Sequence, residues 1–230
     1  MDNKQTYIIL NENKMLLNIL RCYPDIEKTV LAREMGVSFP TLVKQLDVLK
    51  RNKILCDDSK NILNEMAFWA CGISIGGAQC KITFTNIANR VISREKLNDL
   101  CERLHIFQQS FLRTESGDGD WGYRYFDTPE NEIELKVRLN SLIEDVLKID
   151  KASRIDENVY PVLSIGIALT GSIDSEKQIV ISSHNVGYLK NLKKEMLISP
   201  DLLQELKTQN IPIIIDHNAK ALAVCEKYSL

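Results

Sequence analysis

The sequence lacks any pair of cysteines separated by two residues, although six cysteines are spread over its 230 residues. Structural zinc sites and disulfide frameworks normally show close cysteine spacing, so we expect no metal and no disulfide. Reduced thiols of this kind are typical of cytoplasmic proteins. The chain also lacks an apolar run of about 18 residues and a secretory leader, so we expect neither a membrane span nor a membrane partner.

Glycine is scarce in the first third of the chain, where Gly36 alone precedes residue 72. Elsewhere glycine stands at the ends of apolar segments, which is typical of strands and turns. The overall composition, with 44% hydrophobic and 26% charged residues and a net charge of −2, is that of an ordinary globular protein. The change in glycine content predicts two domains of different class, residues 1–66 and residues 67–230.

The first domain has the pattern of a helix-turn-helix. Apolar residues recur at helical spacing over residues 13–20 and 26–35, and a third helix is expected over residues 39–51. Gly36 suits the turn after the second helix, because glycine tolerates a positive φ. Ser38 is a good N-cap, and Pro40 fits the first turn of the third helix.

The third helix would present polar and basic side chains to DNA. Between residues 38 and 53, four basic residues oppose the single acid Asp47, although the chain as a whole is slightly acidic. Early residues of a recognition helix reach base edges, and later cations suit phosphates. Residues 54–63 would form a small hairpin, which makes the unit a winged helix. The candidate DNA-binding residues are Ser38, Thr41, Lys44, Gln45, Lys50, Arg51 and Lys53. The alternative is a three-helix packing module whose basic face is only solvated.

The second domain reads as a mixed α/β domain. Strands are expected at residues 68–75, 78–85 and 91–92, forming a three-stranded meander that begins on the Gly76-Gly77 turn. A helix over residues 93–111, a loop over 114–128, and a helix over 128–148 capped by Thr128 follow. Further along the chain come strands at 162–169, 178–182 and 211–215 and a helix over 199–209. Asp216 would cap a last helix over residues 218–228.

Four stretches, in order, resemble the ROK family of repressors, open reading frames and sugar kinases. Residues 13–55 resemble its helix-turn-helix, and Gly72-Ile73-Ser74-Ile75-Gly76-Gly77-Ala78 resembles its phosphate hairpin G-x-D-x-G-G-T. Residues 166–174 resemble its turn G-I-G-x-P-G-x-x-D, followed by a sugar loop at residues 183–188. Residues 212–226 resemble its P-x-x-x-E-N-D-A-N-A-A-A-x-x-E motif.

The resemblance implies a winged helix-turn-helix followed by one lobe of an actin-like/ribonuclease H-like sugar-kinase fold. It also implies a second lobe carrying the remaining nucleotide contacts and a zinc cluster. Because only four residues follow Glu226, we expect a truncated body, no cofactor and no complete nucleotide cleft. By the resemblance, the candidate ligand-binding residues are Gly76, Gly77, Gly171, Asn185, Gly187, His217 and Asn218.

Two departures from the family pattern argue against catalysis. Ser74 replaces the carboxylate that helps hold the magnesium nucleotide in the kinases, and a serine offers no charge to a hard cation. Asn218 replaces the aspartate that acts as the base, and a neutral amide does not accept a proton near neutral pH. His217 is the alternative base, although it occupies a position that the resemblance assigns to sugar binding. The sequence therefore predicts no catalytic residues and no enzyme activity.

These observations predict a transcriptional regulator of sugar metabolism that binds double-stranded operator DNA. Its kinase-like body would sense a sugar or sugar phosphate, and it would form a homodimer because helix-turn-helix proteins usually read two half-sites. Two alternatives stay open. One is a divergent ROK kinase that phosphorylates hexoses with ATP, and the other is a truncated product in which only the DNA-binding head works.

Overall fold

A computed structural model of the chain describes residues 3–56, 61–114 and 122–217. Within these ranges, a head that contains four helices comes first along the chain, and an α/β lobe follows it. The elements are α1 Asn3–Glu12, α2 Lys14–Cys22, α3 Lys28–Glu34, α4 Phe39–Arg51, β1 Trp69–Ile75, β2 Gln79–Asn86, α5 Arg94–Leu104, β3 Tyr123–Asp127, α6 Glu132–Ala152, β4 Val162–Leu169, β5 Ser172–Asp174, β6 Ile179–Ser182, β7 Lys190–Lys193, α7 Lys194–Leu197, α8 Pro200–Thr208 and β8 Ile213–His217.

The head contains the three predicted helices and one that the sequence analysis missed. α4 has the predicted bounds, and its apolar stripe buries Leu42, Leu46 and Leu49. α1 was not predicted, because the four apolar residues at positions 7–10 are consecutive and show no helical period. Of this helix only Asn3, Thr6 and Ile9 are buried.

The lobe is built on a five-stranded mixed sheet with the order β3-β2-β1-β4-β8. β1 pairs with β2 antiparallel and with β4 parallel, and β4 pairs with β8 parallel. Alternate residues of β1 are buried in the main core, together with the apolar face of α6. The other face of β1 carries small residues, Gly72 and Ser74, which lie beside Gly166 and Ala168 of β4.

The third strand of the meander was placed wrongly by the sequence analysis. Val91 forms only an isolated bridge with Thr85, whereas the strand that completes this side of the sheet is β3. β3 lies inside the segment that was expected to be a loop, and it pairs with β2 so that Lys81 faces Tyr125. Its alternating aromatic residues suit a strand. The glycines and acids before it are typical of a loop, and they concealed this signal.

Two predicted helix boundaries in the lobe were also wrong. The helix that starts after Ser93 ends at Leu104, because His105 adopts a left-handed conformation with φ 49°. The long helix α6 starts at Glu132, and its N-cap is Asn131, whose side chain accepts a hydrogen bond from the Glu134 amide. The Thr128 hydroxyl instead donates to the Gly76 carbonyl at 2.7 Å, so Thr128 is bonded to the turn that follows β1 and does not begin a helix.

A second, three-stranded antiparallel sheet has the order β5-β6-β7, and its strand β5 contacts β8. Only β6 was predicted, because β5 and β7 are three and four residues long and carry little periodicity. Asp216 was expected to cap a helix, but it lies within β8. The helix predicted for residues 218–228 lies outside the described residues.

The buried apolar residues form two clusters. The larger fills the lobe. The smaller fills the head and also includes Phe68, Ile87 and Leu163, which belong to the lobe side of the predicted boundary at residue 66. The head therefore packs directly on the lobe at the starts of β1 and β4. No helix of the described ranges is long and apolar enough to cross a membrane.

Candidate functional site

The N-terminus of α4 is defined by the turn before it. Gly36 has φ +65°, and a side chain there would face open space, so the backbone conformation alone favours glycine. Ser38 caps the helix by accepting a hydrogen bond from the Thr41 amide at 3.3 Å. The hydroxyls of Ser38 and Thr41 are hydrogen bonded at 2.8 Å. The predicted turn and cap are confirmed, and together they fix where the third helix begins.

The structure places most of the predicted DNA-binding side chains on the outer surface of α4. Thr41, Lys44 and Arg51 are exposed, and their spacing of three and seven residues puts them on one helix face. Lys53 is also exposed and has φ 56°. Lys50 is half-buried.

Gln45 differs from the other predicted contacts, because it is half-buried. Its Oε1 atom is buried and has no hydrogen-bond partner among the described residues. The amide is thus partly turned toward the head, and its role as a base reader stays a prediction.

The base of the predicted hairpin is present directly after α4. Leu55 and Leu63 form an antiparallel bridge, and the Cys56 amide donates to the Ile62 carbonyl at 2.9 Å. On the other side, the Asn64 amide donates to the Ile54 carbonyl at 2.9 Å. The tip of this hairpin, residues 57–60, lies outside the described residues.

The predicted ligand-binding residues converge only in part. A cleft of about 650 Å³ opens where β4 and β8 end. Gly171, Asn185 and His217 line this cleft, whereas Gly76 and Gly187 do not. Asn218 lies outside the described residues. The cleft is lined by Thr170, Gly171, Ser172, Ile173, Ser175, His184, Asn185, Asp216 and His217.

Two glycines allow the walls of the cleft to approach each other closely. Gly171 has φ +149°, and a Cβ atom there would lie 2.2 Å from the Ser182 carbonyl oxygen. A Cβ atom on Gly77 would lie 3.0 Å from the Cβ of Asn185. The turn between β1 and β2 therefore packs against the loop that carries Asn185, although Gly77 itself does not line the cleft. Around Gly187 nothing lies within 4 Å of such an atom, so packing does not require glycine there.

The polar groups of the cleft are partly engaged with one another. The Ser175 hydroxyl donates to Asp216 Oδ1 at 2.8 Å, and the His217 amide donates to the same oxygen at 2.8 Å. The Thr170 hydroxyl oxygen is buried without a hydrogen-bond partner in the described part of the chain. These groups are hydrogen-bond donors and acceptors of the kind that hold a hydroxylated ligand.

Gln178 is a residue that the sequence analysis missed. Its side-chain amide accepts a hydrogen bond from the Ile215 amide at 2.6 Å and donates to the Ile215 carbonyl at 3.1 Å. β8 stands at the edge of the five-stranded sheet, so Gln178 takes the place of a neighbouring strand at Ile215. The sequence around Gln178 does not predict this role, because its partner Ile215 lies 37 residues further along the chain.

Ser74 lies on β1, half-buried, beside Ala168 of β4 and Lys81 of β2. Its neighbour in register one strand further is Asp216, because Ala168 pairs with Asp216. The carboxylate of Asp216 is the acidic group nearest this position in the register of the sheet. Ser74 itself contributes a hydroxyl and no charge.

No protein-family profile matches the chain, and no curated protein is similar to it in sequence. Among solved structures, it is similar to a ROK family transcriptional regulator, a homologue of the E. coli MLC protein. The TM-score is 0.57 and the identity 16%, over 92% of this chain and 47% of the regulator. A ROK family glucokinase from Streptomyces griseus, in complex with glucose and AMPPNP, gives a TM-score of 0.42 with 15% identity over 70% of this chain and 36% of the kinase.

A ROK family protein from Streptococcus pneumoniae, in complex with sucrose, gives a TM-score of 0.40 with 14% identity over 70% of this chain and 38% of that one. The similarity to the ROK family regulator confirms the predicted resemblance at the level of the fold. The chain spans about half the length of the regulator.

Proposed function

We propose that this chain belongs to a DNA-binding transcriptional regulator whose α/β lobe senses a sugar-like ligand and does not catalyse phosphoryl transfer. The observation that carries the proposal is the capped N-terminus of α4, with Thr41, Lys44 and Arg51 exposed on one face. A buried core helix would not leave this face to solvent. The head would be a winged helix, with residues 54–63 as its wing.

The charge distribution supports a duplex as the partner. Lys44, Arg51 and Lys53 are exposed on or just after α4, and exposed cations in such an array neutralise phosphates. The positive end of the helix dipole adds to this attraction at the N-terminus of α4. Ser38 and Thr41 would position the first turn against the backbone, whereas Lys44 and Gln45 would face base edges.

The non-catalytic assignment is supported by the chemistry of two side chains. Ser74 occupies the position of a metal-binding carboxylate, and it offers only a hydroxyl. Asn218 follows β8 in the sequence at the position of the base, and its amide has no basic atom at neutral pH. A lobe that lacks both groups retains a place to bind a sugar without the means to activate it.

The ligand site would be the cleft at the ends of β4 and β8. Asn185, His184 and His217 line it with groups that donate and accept hydrogen bonds. A neutral sugar or a sugar phosphate is the class of ligand that fits these groups. In a homodimer, a ligand that prefers one arrangement of the lobes would change the spacing of the two heads by shifting populations.

A divergent kinase is the competing function, and the position of His217 favours it. His217 lines the cleft, and its backbone amide donates to the carboxylate of Asp216, so the cleft offers an imidazole that would serve as a base for a sugar hydroxyl group. A coupled assay with hexoses and ATP separates the two functions. Turnover that disappears in His217→Asn contradicts the non-catalytic assignment, whereas the absence of turnover supports it.

The experiment that tests DNA binding is selection of duplexes from a random library with the full chain. We expect enrichment of one motif by the wild type and none by a Lys44→Ala, Arg51→Ala double variant. A pair of variants at exposed positions of the lobe, Lys207→Ala and Lys177→Ala, removes the same charge outside α4 and serves as the control. Equal enrichment by both double variants, or none by the wild type, would contradict the proposal.

A further inference from the structure

One large apolar side chain at the N-terminus of α4 lies outside the core of the head. Phe39 is the first residue of the helix and is 47% exposed. It follows the cap Ser38 and precedes Pro40, which is also exposed. A phenylalanine in water at a helix terminus forgoes part of the free energy of burial. Other large apolar side chains of this chain, such as Ile155, are also exposed, so the reason for Phe39 is sought in its position at the start of α4.

Folding of the head does not supply that reason. The core of the head takes Leu42, Leu46 and Leu49 from α4. Phe39 belongs neither to that core nor to the half-buried residues packed against it in the described part of the chain. Capping does not need it either, because Ser38 makes the capping hydrogen bond.

The first turn of α4 offers an apolar surface for recognition. The hydroxyls of Ser38 and Thr41 are hydrogen bonded to each other at 2.8 Å, so these two groups have fewer hydrogen bonds left to make with a partner. Side chains of a helix tilt toward its N-terminus, and a recognition helix presents its N-terminal residues to the base edges. If α4 enters a major groove, the rings of Phe39 and Pro40 would lead into it.

Thymine carries the apolar group of the major groove. The other groups on the four base-pair edges there are hydrogen-bond donors and acceptors, and the C5 methyl group of thymine accepts only apolar contact. We propose that Phe39 is a specificity-determining residue that reads a thymine methyl group in the operator. This inference rests on the proposed function of the head, because it needs α4 to enter a major groove.

The proposal makes a prediction that hydrogen-bond readout by Lys44 or Gln45 does not make. Replacing thymine by deoxyuridine removes the methyl group and leaves every donor and acceptor of the base pair in place. Burial of one methyl group is worth about a fourfold change in affinity. At the thymine that Phe39 contacts, uracil should weaken binding by about that factor. At other thymines it should have little effect.

The test uses the full chain and a labelled duplex taken from the random-library selection. Each thymine of the duplex is replaced by deoxyuridine in turn, and dissociation constants are measured by fluorescence anisotropy for wild type and Phe39→Ala. We expect one or two positions per half-site at which uracil costs the wild type about fourfold. Phe39→Ala should be indifferent to the same replacements. Phe39→Leu, which keeps an apolar side chain, should retain part of the preference.

Tyr23→Ala is the matched control, because Tyr23 is an exposed aromatic residue of the head, 61% exposed, outside α4. It should keep the wild-type sensitivity to uracil. Tight binding with no uracil-sensitive position, or a sensitivity that persists in Phe39→Ala, overturns the assignment of Phe39 and leaves the regulator proposal standing. Failure of the wild type to bind any duplex overturns both.

Discussion

Single residues set the geometry of both candidate sites through the backbone. Gly36 holds φ +65° in the turn before α4, and Gly171 holds φ +149° where the chain leaves β4 for the cleft. Asn89, His105 and Gln178 adopt positive φ without being glycine, so these positions carry some strain. α4 and the cleft are thus each preceded by a residue whose conformation few other residues adopt.

Lys44 is the residue on which the DNA-binding proposal depends most. Its side chain is exposed on the outer face of α4, so Lys44→Ala should weaken binding to the selected duplex without unfolding the head. If Lys44 touches a phosphate, the slope of log affinity against log salt should fall by about 1. Anisotropy titrations at several salt concentrations measure this slope, with Lys207→Ala as the control.

An unchanged slope with relaxed base preference would place Lys44 on a base edge. No change in either affinity or preference would remove it from the interface.

The buried thiols of the lobe should make the protein sensitive to alkaline pH. Burial raises the pKa of the Cys80 thiol from 9.0 to about 11, and burial also raises the pKa of Cys71. Between these values the unfolded chain loses protons that the folded chain keeps, so the free energy of unfolding falls as the pH rises above about 9. Cys80 should account for about 2 kcal/mol of this loss.

Urea unfolding of wild type and Cys80→Ala between pH 8 and pH 11 isolates the contribution of this thiol. The stability difference between the two proteins should shrink as the pH rises. A difference that is constant over this range would contradict a raised pKa at Cys80.

At the scale of elements, β8 is the strand that joins the sheet to the cleft. Within residues 3–56, 61–114 and 122–217, β8 pairs with β4 on one side only. On its open side, Gln178 holds both backbone groups of Ile215, Lys194 donates to the Ile213 carbonyl at 3.4 Å, and Asp216 accepts from the His217 amide. An edge held by side chains is closed to pairing with another strand. It also fixes the direction in which His217 enters the cleft.

Gln178→Ala should release this edge. The amide and carbonyl of Ile215 would lose their partners, and leaving buried backbone groups unsatisfied costs about 1–3 kcal/mol. Urea unfolding measures the loss, and hydrogen exchange at the Ile215 amide should accelerate. Glu176→Ala, an exposed neighbour on the same turn, should leave both unchanged. If the Ile215 amide of Gln178→Ala keeps its wild-type protection from hydrogen exchange, the Gln178 side chain does not hold β8 in place.

The elements that the sequence predicted well are those whose signals are local. α4 was predicted to the residue because Gly36, Ser38 and Pro40 stand together at its start. β4 was predicted with its bounds because a continuous apolar run precedes Thr170. The predicted cleft residues Gly171, Asn185 and His217 came from the family resemblance and not from periodicity.

The elements that the sequence did not predict depend on distant partners. β3 exists because it pairs with β2, about forty residues earlier, as Thr83 and Tyr123 do. α1 is anchored at its start by Asn3, whose amide donates to the Gln209 carbonyl at 3.1 Å. Ser175, which lines the cleft, and Gln178 were also missed, and both bond to β8 from the turn between β5 and β6.

At the scale of the whole molecule, the head and the lobe share contacts that a flexible tether would not provide. Phe68, Ile87 and Leu163 are buried in the core of the head. Arg21 of α2 donates to the Ile87 carbonyl at 2.7 Å, and Glu65 of the connecting segment accepts from Asn86 at 3.0 Å. We therefore expect the head to move with this lobe, so that in the proposed homodimer a ligand would change the spacing of the two heads by moving whole protomers.

Ile87→Ala should weaken the packing between the head and the lobe. Ile87 is 1% exposed, and removing a buried isoleucine side chain costs about 2–5 kcal/mol. If the head and the lobe unfold as one unit, hydrogen exchange should lose protection equally in α2 and in β4. Ile155→Ala, at a position 92% exposed, is the matched control. A loss confined to the head would show that the two parts unfold separately.

The most direct test of the central claim is the salt dependence of duplex binding by the full chain. Anisotropy titrations with the selected duplex should give an affinity that falls as salt rises. With Lys44 on a base edge, the exposed cations Arg51 and Lys53 predict a log–log slope of about −2 for each head, and a phosphate contact by Lys44 would make it about −3. Absence of binding at low salt, or an affinity that does not respond to salt, would contradict the account of this chain as a DNA-binding regulator.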